Sequence, residues 1–374
     1  MRNTMKNNRT FLEKLLDGAE VEWKPLSLVT EMQRGKTITA KSANEGNIPV
    51  ISGGQKPAYY HNESNRDGKT ITVAGSGAYA GYIMYWEEPI FVSDAFSIKT
   101  DESLLQIKYV YHFLLQNQQK IHAMKKGSGV PHVYPKDIGT LMIPIPPLSV
   151  QTEIVKILDA LTALTSELTS ELILRRKQYE YYRERLLSFD SLEQLNMGGA
   201  KKKLIDVAII GTGSRNTNEA IENGIYPFFV RSQEPKKINE YEFDETAIIT
   251  AGDGVGVGKV FHYISGKYAL HQRAYRIVVT DKNLLPKFLF HYIRNNFTHY
   301  LKMTSVNSSV TSLRKPMFEK YPVFVPPLEE QHRIVSILDK FEALTNSITE
   351  GLPLAIEQSQ KRYEYYRELL LNFS

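Results

Sequence analysis

The sequence contains one segment twice, at an interval of 180 residues. PPLSVQTEIVKILDALTALTSEL begins at Pro146, and PPLEEQHRIVSILDKFEALTNSI begins at Pro326. Farther on, QYEYYRERLLSF from Gln178 matches RYEYYRELLLNF from Arg362, now at an offset of 184. A duplication of this length constrains the architecture before any motif does, because each copy must form a similar unit. The chain is therefore predicted to be a tandem repeat, with four extra residues in its second copy.

The segments ahead of each shared block resemble one another only weakly. GSGAYAGYI from Gly75 aligns with GDGVGVGKV from Gly252, and GSGVPHV from Gly127 aligns with NSSVTSL from Asn307. They combine β-branched and aromatic residues with glycine breaks, which is typical of short strands, and helical stretches follow them. Each copy is predicted to hold an α+β globule of about 125 residues, with helices packed on a twisted sheet.

The shared blocks have the apolar spacing of long helices. Steps of three and four residues are typical of a coiled-coil seam, and the proline pair before each block marks a helix start. The seam residues are Ile154, Ile157, Leu161, Leu164, Leu168 and Leu172 in the first copy and Ile334, Ile337, Phe341, Leu344 and Ile348 in the second. We expect two helices that bury each other, side by side and antiparallel. Gly351 and Pro353 predict a break near 351–353 in the second one.

Composition excludes several classes of protein. The chain has 374 residues, 42% of them hydrophobic, and its apolar runs are shorter than the roughly 18 residues that span a bilayer. The first 18 residues lack the apolar core and cleavage site of a signal peptide. The complete absence of cysteine excludes disulfides and thiolate zinc sites. These features favour a globular protein of the cytosol.

The positive charge is concentrated in one part of the chain. Residues 196–325 carry 18 basic and 11 acidic residues, a net charge of +7, whereas residues 20–145 carry +1. The shared blocks are acidic, with −2 over residues 146–195 and −3 over residues 326–374. This asymmetry predicts that the globules and the helices have different roles.

Catalytic signatures are not found. GDGVGVGK resembles a phosphate loop, yet its glycines at 254 and 258 are too close together, and Val260 stands where Ser or Thr should bind magnesium. GSGAYA at Gly75 fits a loose dinucleotide fingerprint, but a strand-like segment follows instead of a helix. The nine histidines show no metal-ligand spacing, and neither PPL site has the residues that flank the Pro-Pro of an adenine methyltransferase. The chain is predicted not to be a catalyst by itself.

Two motifs recur in the duplicated unit: PPLxxQxxIVxILD, at Pro146 and Pro326, and YEYYRE, at Tyr179 and Tyr363. With this duplication and these motifs, the sequence resembles the specificity subunit of type I restriction-modification enzymes. The resemblance covers essentially the whole chain. It implies two target recognition domains of mixed α/β structure separated by two antiparallel coiled-coil helices. The implied boundaries are 1–145 and 196–325 for the domains and 146–195 and 326–374 for the spacer helices.

The resemblance also implies a function. Each recognition domain would read one half of a split sequence in double-stranded DNA, and the helices would dock two modification subunits. Those subunits would methylate adenine from S-adenosylmethionine, and motor-nuclease subunits would complete the enzyme with ATP and Mg²⁺. Two other interpretations stay open: a fused methyltransferase or nuclease with cryptic motifs, and a two-headed scaffold that binds protein.

The tetrad TSEL is written twice in a row from Thr165. Each copy adds about 6 Å of rise and leaves the helix roughly 40° past its former phase, which is a stutter in a coiled coil. We interpret the helix pair as a ruler for the distance between half-sites and the tetrad as its adjustable part. The alternative is a helix whose leucines recur only through slippage in the gene.

Candidate base-reading residues are polar side chains in predicted loops, because Arg and Lys pair with guanine and Asn and Gln with adenine. In the first globule they are Gln55, Lys56, Ser76, Tyr79, Lys125, Lys126, Ser128 and His132. In the second they are Arg231, Gln233, Arg273, Asn307, Ser308, Thr311 and Arg314. For each of them, a solvated or helix-capping role is the alternative.

Overall fold

The computed structural model describes residues 11–127, 129–188, 192, 199–304 and 312–373. The chain forms two compact units, one made of Met1–Leu168 with Ile356–Ser374 and the other of Thr169–Ala355. Each unit contains one globule together with parts of both shared blocks. The mixed α/β class predicted from the sequence is confirmed in both.

The first unit carries its strands in separate small sheets. Its strands are β1 (Glu22–Pro25), β2 (Thr30–Arg34), β3 (Ile48–Ile51), β4 (Tyr59–His61), β5 (Thr70–Ala74), β6 (Ile83–Trp86), β7 (Phe91–Val92), β8 (Ala95–Thr100) and β9 (Met142–Ile145). Its shorter helices are α1 (Phe11–Leu16), α2 (Leu26–Val29), α3 (Ile107–Gln116), α4 (Gln118–Ala123) and α5 (Pro135–Ile138). The sheet orders are β2-β8-β5-β6, β4-β3-β7 and β1-β9, with β3 and β7 parallel.

The second unit repeats these pairings within a larger sheet. Its strands are β10 (Ala200–Lys203), β11 (Ala208–Thr212), β12 (Tyr226–Phe229), β13 (Lys236–Ile238), β14 (Phe243–Ala251), β15 (Phe261–Leu270), β16 (Ala274–Val279) and β17 (Pro322–Val325). Its helices outside the shared blocks are α7 (Leu204–Val207), α8 (Pro286–Thr304) and α9 (Lys315–Glu319). The sheet order is β11-β16-β14-β15-β12-β13, and β10 pairs with β17. Strand β15 corresponds to β6 and β7 of the first unit together. In the first unit Pro89 lies between these two strands, and proline cannot donate a hydrogen bond to a strand ladder.

The shared blocks are helical, as predicted. They form α6 (Leu148–Leu187), α10 (Leu328–Asn346) and α11 (Gly351–Leu371). Within the first unit the hydroxyls of Thr165 and Ser359 lie 2.8 Å apart. Within the second unit, Tyr179 donates to Glu342 at 3.0 Å and Arg176 to the Thr345 carbonyl at 3.3 Å. The residue numbers fall on one helix as they rise on the other, so this contact is antiparallel. None of the helices in the described ranges has the length and apolar character of a membrane span.

The break in the second shared block begins earlier than predicted. Residues 347–350 are not helical, and α11 starts at Gly351. Gly351 has φ +78°, and a Cβ there would lie 2.5 Å from the Ala343 carbonyl oxygen, so this close turn requires glycine. Pro353 lies in the first turn of α11, where a missing N–H costs nothing. The predicted seam is therefore wrong at Ile348, which lies in the break and is 78% exposed.

The predicted seam captures only part of the helix burial. Ile154 and Ile334 are fully buried, but so are Leu158 and Leu338, which the single stripe left out. Their contacts lie in the cores of the globules, so each helix start is covered by its own domain as well as by another helix. Leu164 is 39% exposed, which also departs from the predicted stripe. A helix with two neighbours buries a wider face than a coiled-coil seam.

A buried glutamine fixes the first turn of each long helix to its globule. Gln151 accepts a hydrogen bond from the Gln106 amide at 2.9 Å and donates to the Leu104 and Pro146 carbonyls at 3.2 and 2.9 Å. Gln331 is equally buried and repeats this pattern in the second unit. Each side chain satisfies loop backbone groups that have no helix or sheet partner.

About two turns later, an aspartate on each helix binds a lysine and a histidine of the globule. Asp159 lies 2.9 Å from Lys108 Nζ and 2.8 Å from His112 Nε2. In the second unit Asp339 binds Lys287 and His291 in the same way. Burial alone would raise the pKa of Asp159, but the hydrogen bonds and charges of His112 and Lys108 outweigh it and lower that pKa.

Replacing Gln151 with leucine is expected to lower the free energy of unfolding by about 1–3 kcal/mol, because buried backbone groups lose their partner. Urea unfolding at neutral pH measures this change. Gln358→Leu, at an exposed position on α11 in the same unit, is the matched control and should change stability by less than about 0.5 kcal/mol. Similar losses in the two variants would contradict the anchoring role.

Candidate nucleic-acid interface

In the first unit, the glycine-rich turn between β5 and β6 gathers several predicted residues. Ser76 and Lys126 each form a β-bridge with His132. Lys126 and His132 exchange backbone hydrogen bonds of 2.9 and 2.8 Å. Lys125 Nζ donates to the Ala78 carbonyl of the same turn at 3.3 Å. Ser76 therefore shares one surface with Lys125, Lys126 and His132, which lie about 50 residues later in the chain.

The other candidates of the first unit adjoin this turn or lie outside the described residues. Tyr79 is exposed within the turn. Gln55 and Lys56 are exposed in the loop after β3. The backbone of that loop approaches the turn closely, since a Cβ on Gly53 would lie 2.6 Å from the Ser76 carbonyl oxygen. Ser128 lies outside the described residues.

Acidic partners reduce the positive charge of this surface. Lys126 Nζ lies 2.7 Å from Asp137 Oδ1, and the Ser76 hydroxyl donates to the Asp94 carboxylate. This pairing agrees with the low net charge of the first globule. Its contact chemistry is consequently a mixture of hydroxyl, amide and carboxylate groups.

In the second unit, two predicted arginines share one carboxylate. Arg231 Nη1 donates to Asp253 Oδ1 at 2.8 Å, and Arg273 Nη1 donates to Asp253 Oδ2 at 3.1 Å. Arg231 follows β12, Asp253 follows β14, and Arg273 precedes β16, so adjoining parts of one sheet position all three. The arginine side chains remain 41% and 62% exposed.

The two guanidinium groups keep Asp253 ionised. Burial on its own would raise the pKa of Asp253, but the hydrogen bonds and positive charges of Arg231 and Arg273 lower it below its usual value. His271 is buried close by, and the pKa of its imidazole is lowered by burial first and by Arg231 second. The site thus combines fixed positive groups with a fixed negative centre.

The remaining candidates of the second unit border this group. Ser312 forms a β-bridge with Asp253, and Arg314 is exposed two residues later, ahead of α9. Gln233 is exposed in the loop after β12. The other three candidates lie outside the described residues: Asn307, Ser308 and Thr311.

Sequence reasoning named the two arginines but missed the aspartate between them. Asp253 lies in the GDG turn, which was considered only as a nucleotide loop, and its counterpart in GSG is Ser76. Sequence reasoning missed Asp94 as well. The Gly75 N–H donates to the backbone carbonyl of Asp94, and the Gly252 N–H donates to the backbone carbonyl of Arg273 in the same way. The repeat alignment places Asp253 opposite Ser76, but it does not reach Asp94.

Only one group of the described residues could hold a metal ion. It consists of His291, Asp339 and Glu342. Lys287 lies 3.6 Å from Asp339, Tyr179 donates to Glu342 at 3.0 Å, and an arginine of α8 is also paired with Glu342. These carboxylates already have cationic partners, so the group fits an ion-pair network better than a metal site.

One protein family matches both halves of the chain. Residues 20–175 and 198–358 match the family model described as the type I restriction modification DNA specificity domain. The chain is 39% identical to a protein of Haemophilus influenzae provisionally named a type I restriction enzyme specificity subunit, over 99% of this chain and 100% of that one. It is 31% identical to the EcoR124I/EcoR124II specificity subunit of Escherichia coli, over 97% of each chain.

Solved structures show the same fold. The S subunit of a type I restriction-modification system from M. genitalium matches with a TM-score of 0.62 at 18% identity, over 94% of this chain and 95% of that one. The HsdS subunit from Thermoanaerobacter tengcongensis matches with a TM-score of 0.51 at 15% identity, over 94% and 97%. The two-globule arrangement of secondary structure is therefore shared with these proteins.

Replacing Asp253 with asparagine is expected to destabilise the protein slightly, by less than about 1 kcal/mol, at neutral pH. The folded-state pKa of Asp253 is lowered, so its contribution is complete above the unfolded-state pKa and disappears as pH falls through the folded-state value. Unfolding curves of the variant and the parent should therefore differ at pH 7 and converge as pH falls through the lowered folded-state pKa of Asp253. A difference that persists or grows in acid would contradict the ionised pair.

Proposed function

Because the chain belongs to the type I restriction-modification DNA specificity family, we propose that it is the specificity subunit of such an enzyme. The observation that carries the proposal is the duplicated family match, at 20–175 and 198–358, on two units that repeat one set of strand pairings. Each recognition domain, 1–145 and 196–325, reads one half of a split DNA target. The chain supplies recognition and not catalysis.

Electrostatics supports a DNA partner for the second globule. Phosphate neutralisation requires lysine and arginine, and residues 196–325 carry a net charge of +7. The first globule carries +1, so its affinity depends on placed hydrogen-bonding groups and on charge from partner subunits. We infer a cytoplasmic place of action, because bacterial DNA lies in that compartment.

The acidic shared blocks, 146–195 and 326–374, are proposed to dock protein and to set the half-site spacing. Each presents an exposed tyrosine pair, and the rings of Tyr181 and Tyr182 meet edge to face at 5.4 Å, as do those of Tyr365 and Tyr366. Exposed aromatic residues are enriched in protein interfaces. Two copies of this surface suit two modification subunits that use S-adenosylmethionine, and motor-nuclease subunits would add ATP and Mg²⁺ chemistry.

Genome-wide mapping of methylated adenines, with and without this gene, tests the proposal. The expected result is a two-part motif with one modified adenine on each strand, present only with the gene. In gel shifts with the modification subunits, affinity should fall steeply with salt, because phosphate contacts release counterions. Unchanged methylation on deletion of the gene would refute the assignment.

Insertion of a third TSEL after Leu172 should lengthen the recognised spacer by about one or two base pairs, because it adds about 6 Å of helix. Methylation mapping of the variant measures the spacer directly. Ser170→Ala, an exposed change within the existing tetrad that adds no length, is the control and should leave the spacer unchanged. An insertion variant that methylates the parental motif would contradict the ruler.

A further inference from the structure

The arginine pair of the second unit is built for directed hydrogen bonding. Each oxygen of Asp253 accepts from a different guanidinium, at 2.8 Å for Arg231 and 3.1 Å for Arg273. Arginine has five N–H donors, and one on each side chain is used for this contact. Among the residues that the structure describes, no other side-chain partner is found for either guanidinium. Both groups are therefore oriented and still able to donate.

The aspartate favours base recognition over phosphate binding. A carboxylate between two arginines weakens their attraction for a phosphate, because it removes one of the two positive charges. What it adds is a fixed orientation of two planar forks, since charge-assisted hydrogen bonds hold them. A fixed guanidinium matches the O6 and N7 acceptors of guanine in the major groove, which is the commonest specific arginine contact with DNA.

The first unit has no such arrangement at the corresponding positions. Gly53 follows β3 where Arg231 follows β12, and Ser76 occupies the place of Asp253. Asp94 occupies the place of Arg273 and accepts a hydrogen bond from Ser76. The net side-chain charge at these three positions is thus negative in the first unit and positive in the second.

We propose that Arg231 and Arg273, positioned by Asp253, read guanine in the half-site bound by the second unit. This inference rests on the proposed function and adds the chemistry of one half-site. Arg231 and Arg273 touch the base, whereas Asp253 acts through them as a positioning residue. The first unit has no arginine pair at the corresponding positions, so this mode of guanine contact belongs to one half-site.

The test uses the full chain assembled with its modification subunits, on a library of randomised DNA duplexes. Sequencing of the bound DNA should give a split motif with guanine in one half-site. Arg231→Ala and Arg273→Ala should each lower the preference for guanine at one position of that half by roughly 5- to 150-fold. The other half-site should keep its sequence. Lys236→Ala, at an exposed lysine of β13, is the control and should lower affinity for all sequences alike.

Asp253→Asn separates positioning from folding. Loss of the carboxylate should weaken the guanine preference, while affinity for non-specific duplex DNA stays equal or rises, because a negative charge is removed. A variant that merely misfolds would lose non-specific affinity as well. Unchanged guanine preference in Asp253→Asn would overturn the positioning role.

Failure of this inference differs from failure of the proposed function. A split motif without guanine in either half, or one whose guanines resist both arginine variants, overturns the inference alone. Loss of guanine from both halves in one variant also overturns it. A bound library with no split motif overturns the proposed function itself.

Discussion

The attachment of each globule to its long helix depends on one buried amide side chain. Gln151 and Gln331 satisfy backbone groups of the loop before α3 and α8 and of the proline pair that starts the helix. Without them these loop ends would be buried without partners, which is more costly than losing an ordinary hydrogen bond. The aspartate about two turns later, with its lysine and histidine partners, adds charge to the same junction. The direction in which each helix leaves its globule follows from this contact.

Much of the fold is predictable, because it follows from the spacing of apolar residues and from the internal repeat. Steps of three and four residues predict a helix across Ile154 to Leu172, and the structure has a helix over Leu148–Leu187. Glycine-rich segments with β-branched neighbours identified turns between strands, such as the one at Gly75 between β5 and β6. The repeat identified two similar units. These signals are local in sequence, so a single chain reveals them.

Other features depend on tertiary contacts that the spacing of residues in the sequence does not reveal. Gly351 and Pro353 predict a helix break near 351–353, but the chain leaves the helix after Asn346, because the tight approach of Gly351 to Ala343 decides the geometry. Leu158 and Leu338 were omitted from the seam because the globule covers a second face of each helix. The role of Asp253 is not predicted from the sequence, because it appears only when two arginines that are 42 residues apart in the chain converge on it. Tertiary contacts therefore account for the differences.

The repeated junction also separates two kinds of change. Glutamine, aspartate, lysine and histidine recur at the helix attachment of both units, whereas the equivalent surface turns carry Ser76 in one and Asp253 in the other. Substitutions in the turns leave the attachment intact. A globule with new surface loops can thus be joined to an existing long helix, provided that the globule brings the lysine and histidine and the helix keeps the glutamine and aspartate. Binding preference can therefore change by exchange of a whole globule, while the long helices and their attachment residues stay the same.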